Sequence, residues 1–139
     1  MANQRLIDKL LKRQEEETKI EVDLIGLADE PFFVKLSKAE YKEIEKEAAL
    51  SEDGSKEVSK QEYKERLDAI CIARSLYDHN EEPVFTGELY DALGTWEATE
   101  AVKKVITLAE ERAIRMAVLE CMGYVDESKL KKENDELKN

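Results

Sequence analysis

One histidine, two cysteines, two prolines and five glycines are spread over 139 residues. Each shortage removes a class of function. With His79 as the sole imidazole, the usual general acid–base and metal-ligand schemes lack their commonest group. His79 lies in the polar run Asp78-His79-Asn80-Glu81 and reads as a solvated turn residue; a metal there would have to draw on Asp78, Glu81 or Glu82. Cys71 and Cys121 allow one pairing and no disulfide framework, and both sit in apolar runs where a reduced cysteine packs as a small hydrophobe. The glycines are scattered, so no phosphate-cradling loop is written into the chain. No apolar signal segment follows Met1, and no apolar run nears the ~20 residues that span a bilayer, which makes the cytoplasm the expected compartment.

Positive charge is also scarce: 22 Lys and Arg face 33 Asp and Glu, a formal net charge of −11. Binding phosphates needs clustered cations. Here lysine alternates with glutamate, as in Glu43-Ile44-Glu45-Lys46-Glu47, so neither nucleic acid nor an anionic membrane is an expected partner. Glu110, Glu111 and Glu120 form a carboxylate-rich stretch, but no Glu-x-x-His motif accompanies them, and a solvated acidic face is the reading. No serine or cysteine has an evident base. No cofactor, metal or catalytic residue is expected, and the chain reads as a protein-binding module, not an enzyme.

What is present is apolar material for one core, 42% of residues, inside a surface rich enough in charge to stay solvated. A single domain over 1–125 is expected, followed by a charged tail at 126–139 whose sizeable apolar side chains are Leu130 and Leu137. The fold class expected is α+β, mainly helical: about five helices packed on a small antiparallel hairpin or sheet near the N-terminus.

Residues 3–16 place Leu6, Ile7, Leu10 and Leu11 on one side of an amphipathic helix. At Lys19-Ile20-Glu21-Val22-Asp23-Leu24 the period falls to two, the mark of a half-buried strand, and Phe32 to Leu36 supplies a second one. Ser37-x-x-Glu40 and Ser59-x-x-Glu62 are capping-box patterns opening helices that run to about Leu50 and Tyr77, with Ser51 to Ser55 as a surface loop between them. Thr86 caps a short helix over Glu88 to Leu93, ended by Gly94. Thr95 then caps a stretch from Trp96 to Met122, one long helix or two with a break near Thr107, stopped by Gly123. The core is expected to include Val22, Leu24, Phe33, Ile44, Leu67, Ile70, Leu76, Val102 and Ile106.

The last stretch carries more apolar side chains than one buried face needs. Val102, Val105, Ile106, Ala109, Ala113, Met116 and Ala117 make a core stripe, and Leu108, Ile114 and Val118 then fall off it as a surface patch for a partner or a second copy. Those three are the first candidate binding residues. Trp96, Phe85 and Tyr90 are the next, since Trp96 suits either a core anchor or a binding hot spot.

The segments "L-S-K-A-E-Y-K-E-I", "E-P-V-F-T-G-E-L-Y-D-A-L-G-T-W-E-A-T-E-A-V-K-K-V-I-T-L-A-E" and "A-V-L-E-C-M-G-Y" resemble the tail assembly chaperones of long-tailed bacteriophages, the XkdN-like or lambda G-like group. The matching positions are Pro83, Phe85, Leu89, Leu93, Gly94, Ala101, Val102, Leu108, Glu110, Leu119, Gly123 and Tyr124, within a span of about residues 18–124. The resemblance implies a non-enzymatic chaperone that coats the tape measure protein, recruits tail tube subunits and self-associates, this chain corresponding to the short product of a frameshifted pair. The competing reading is an acidic inhibitor or DNA mimic. A mimic should carry contiguous carboxylates, whereas here Lys and Glu are interleaved.

Overall fold

A computed structural model describes residues 3–15 and 18–124; the expected tail at 126–139 lies outside the described residues. In chain order the elements are α1 (Gln4–Glu15), β1 (Lys19–Val22), β2 (Phe32–Lys35), α2 (Lys38–Ala48), α3 (Lys60–Ser75), β3 (Leu76–Tyr77), α4 (Gly87–Leu93), α5 (Ala98–Val105) and α6 (Leu108–Cys121). The fold is mainly helical α+β, as the periodicities predict.

The sheet has order β1-β2-β3, antiparallel throughout. Val22 pairs with Phe32 and Ile20 with Val34, while Val34 also faces Leu76 across the second ladder. Alternation along β2 sends Phe32 and Val34 to the buried face, with Leu36 just beyond, and α3 and α6 pack there. Phe33 therefore does not belong to the core as expected. It lies on the outer face, where the Lys19 ammonium sits 4.4 Å from its ring centroid, and Lys35 stands likewise over Tyr77 at 4.3 Å. A strand phase is fixed by which face the helices cover, and Phe32 and Phe33 are equally apolar, so local pattern could not choose between them.

β3 corrects another expectation. The helix opened by Ser59 ends at Ser75 and not near Tyr77, because Leu76 turns extended to complete the sheet edge. Beyond it the chain doubles back through a tight turn, held by the Asp78 carboxylate accepting from the N–H groups of Asn80 (2.9 Å) and Glu82 (3.0 Å). The exposed His79 rides on this turn, and Glu81 forms an ion pair with Lys19 at 3.0 Å.

Ser37 and Ser59 do cap α2 and α3, each hydroxyl accepting from the N–H of the glutamate three residues on. Gly94 closes α4 at φ 71°, a left-handed conformation that a Cβ would disfavour. Expected core residues Val22, Leu24, Ile44, Ile70, Leu76, Val102 and Ile106 are buried, and Leu67 is half-buried at the edge.

The stretch from Trp96 to Met122 is two helices. Thr95 does not cap the first: α5 begins at Ala98 with Glu97 as its N-cap. Buried Thr95 instead accepts from the Glu97 N–H at 3.2 Å and donates to the Glu100 carboxylate at 2.8 Å. Ile106 and Thr107 are extended, and Thr107 opens α6. Across that break the apolar phase resets. Ala117 of the expected stripe is buried, and so are Ile114 and Val118, while Ala109, Ala113 and Met116, assigned to the core by the same continuous stripe, face outward.

Candidate protein-binding site

The first three candidate residues do not form one patch. Ile114 is fully buried in the core and Val118 nearly so, with Val118 reaching only the lining of a cleft between α3 and α6. Leu108 alone stands out in water, 83% exposed at the first turn of α6. The acidic residues of this helix do not form a cluster either. Glu110 is used in the cap of α6, and Glu120 lies ten residues further on, about 15 Å along the axis at 1.5 Å per residue.

The second set of candidates is brought together. α4 ends at Leu93, and the four residues from Gly94 to Glu97 carry the chain across to α5. That places Trp96 outside both helices and over the Tyr90 ring, with centroids 5.7 Å apart and planes 17° from parallel. Tyr90 in turn leans on Phe85 at 6.3 Å in a tilted contact. The three rings descend from surface to core: Trp96 is 67% exposed, Tyr90 half-buried and Phe85 buried. The core-anchor reading of Trp96 does not hold, because most of its ring stands in water.

Beneath this shelf is a cleft of about 300 Å³, lined by the apolar Ile70, Phe85, Tyr90 and Trp96 together with the charged Glu47, Glu52, Arg66 and Arg74. The polar lining is organised by Arg66, which is buried in its stem and guanidinium. Its Nε donates to the Ala48 carbonyl at 3.3 Å, a second nitrogen donates to the Glu47 carbonyl at 3.2 Å, and the third pairs with Glu52 at 2.5 Å. Arg66 thus adds donors at the carbonyl end of α2, where the Glu47 carbonyl also accepts from the Leu50 N–H at 3.3 Å. Arg74 pairs with the Glu47 carboxylate beside it. Burial pushes the Tyr90 phenol above its usual range. Both arginines are already engaged, so the cleft offers shape and ring faces more than a free charge.

Sequence reasoning missed Arg66, Glu47 and Glu52. Arg66 sits one turn before Ile70 on the same face of α3, a cation at a core-facing helical position, and that spacing was the available signal.

A second cleft, about 410 Å³, runs on the neighbouring face of α3 toward α6, with Tyr41, Leu67, Cys71, Met116, Val118 and Leu119 as its apolar lining. Its rim carries Arg112 and the Arg115–Asp68 pair at 3.3 Å. Among the described residues no three His, Cys, Asp or Glu side chains converge as metal ligands, and no helix is long and apolar enough to cross a membrane.

No family model matches the chain, and no curated protein matches it. Among solved structures, the tail assembly chaperone of bacteriophage HK97 is similar at 16% identity and a TM-score of 0.46, over 73% of this chain and 82% of that one. A likeness of that size transfers nothing about function by itself.

Proposed function

We propose that this chain is a non-enzymatic phage tail assembly chaperone, which binds the tape measure protein, helps recruit tail tube subunits, and holds its client on the Tyr90–Trp96 shelf. The observation that carries the reading is the exposed indole of Trp96 stacked on Tyr90 over a cleft. A large aromatic left in water on a rigid support is the usual makeup of a binding hot spot, because its burial releases apolar area at little cost in side-chain entropy. The chaperone identity is supported by the sequence resemblance, whose positions Pro83, Phe85, Leu89, Leu93 and Gly94 all fall in the segment that builds this shelf.

The test is a pull-down and titration of the tape measure protein with the wild-type chain and Trp96→Ala. Removing the ring should weaken binding about 30-fold, a hot-spot loss of ~2 kcal/mol, with the melting temperature unchanged because the ring contributes little to the core. Unaltered client affinity in Trp96→Ala would place the contact elsewhere, and no binding by the wild type would remove the chaperone reading.

A further inference from the structure

Two rings on the outer face of the sheet each carry an ammonium: Lys19 stands 4.4 Å from the Phe33 centroid and Lys35 4.3 Å from that of Tyr77. An indole holds a cation more strongly than either of those ring types, yet among the described residues no cation stands over Trp96. One face of this indole lies on Tyr90, and its ring edge reaches Gly87, 3.8 Å from the point where a Cβ would stand. The opposite face is left to the solvent, with Trp96 67% exposed.

The charge around that open face is of one sign. Between Arg74 and Lys103 the chain has no lysine or arginine, and the part of it that builds the shelf carries Glu88, Asp91, Glu97 and Glu100. Asp91 lies one turn beyond Gly87 on the side of α4 that the indole covers, and Glu97 follows Trp96 directly; both are exposed. The cations nearby are already matched. In the cleft Arg66 pairs with Glu52 and Arg74 with Glu47, and Lys104 donates to the Leu93 carbonyl at 3.1 Å. The cleft is therefore neutral, and the four carboxylates of the shelf stand against Lys104 alone.

We propose that the open face of Trp96 receives a lysine or arginine side chain of the client, held over the ring by its quadrupole and flanked by the Asp91 and Glu97 carboxylates. The proposal rests on the shelf being the client site, and it adds the chemistry of what the shelf takes: a basic segment. An apolar side chain on the indole would strip water from the neighbouring carboxylates and give them no partner, whereas a cation supplies the opposite charge. The net charge of −11 also draws a basic segment toward this surface before contact.

Trp96 is the chain's single tryptophan, so its ring chemistry is open to change at this position alone. The test is titration of the tape measure protein with chains holding mono-, di- and trifluorotryptophan at 96. Each fluorine drains negative charge from the ring face while keeping its area and apolar character, so affinity should fall stepwise, by about fivefold over the series. Asp91→Asn combined with Glu97→Gln should weaken binding by a similar factor at low salt and match wild type at high salt. Both side chains are exposed, so the melting temperature should hold; the single substitutions replace the double one if it does not. Affinity that stays constant or rises with fluorination overturns the inference, as does a neutralised variant that binds like wild type at low salt. In those cases a weakened Trp96→Ala still keeps the shelf as the client site, whereas unaltered affinity in Trp96→Ala, or no binding by the wild type, overturns both.

Discussion

The backbone N–H of Thr107 donates to the Glu110 carboxylate at 2.9 Å, and the Glu110 N–H donates back to the Thr107 hydroxyl at 3.2 Å. This reciprocal pair is the one place where α5 stops and α6 starts, in a stretch with no glycine or proline to force a break. Thr107→Ala should cost about 1 kcal/mol, as loss of an N-cap does, read as a lower urea midpoint at constant slope. An unchanged midpoint would mean that packing on either side, not the cap, maintains the break.

Residues of α6 that look alike in sequence should respond in opposite ways. Ile114 is fully enclosed, so Ile114→Ala should cost about 2–5 kcal/mol and Ile114→Glu should unfold the chain. Leu108, bathed in water as the first residue of α6, should accept Glu within about 0.5 kcal/mol. Chemical unfolding of the three variants separates the cases, and a folded, stable Ile114→Glu protein would contradict the packing described above.

Ser75 closes α3 with a hydroxyl that is fully buried and finds no hydrogen-bond partner among the described residues. A buried polar atom left unpaired forfeits its hydration with nothing in return. Ser75→Ala is therefore expected to stabilise the fold by about 1 kcal/mol, seen as a rise in melting temperature. Loss of stability in this variant would show that the hydroxyl is satisfied after all.

Burial, aided by the nearby Asp68 and Glu45 carboxylates, pushes the Cys71 thiol from its ordinary 9.0 up to about 12. At pH 8 the folded protein should hold Cys71 as an unreactive thiol, and a thiol reagent should modify it only on unfolding. The raised value also sets a direction for stability. Below about pH 9 the thiol is neutral in both states and the fold keeps its full stability; from there toward pH 12 the unfolded chain ionises first and stability falls. Labelling of Cys71 at pH 8 as fast as in denaturant would refute the burial assigned to it.

Much of this fold is local in origin and was legible in the sequence: the serine caps at 37 and 59, the glycine stop at 94, the period-two strands and the apolar half of α3 from Ala69 onward. Each depends on residues within one or two turns of each other. The candidate site was legible only in part, because Phe85, Tyr90 and Trp96 could be named as aromatic candidates but their stacking order could not. Tertiary structure decided what depends on distant partners. Which of Phe32 and Phe33 turns inward follows from the helices that cover the sheet, and Arg66 gains its role only because the end of α2 arrives beside it. The buried rank of Ile114 and Val118 follows from the two extended residues at Ile106 and Thr107, which rotate the second helix relative to the first. A continuous 3.6-residue count carried across that break assigns the wrong face. Periodicity holds only while the backbone stays helical, and contacts far away in sequence determine where it stops.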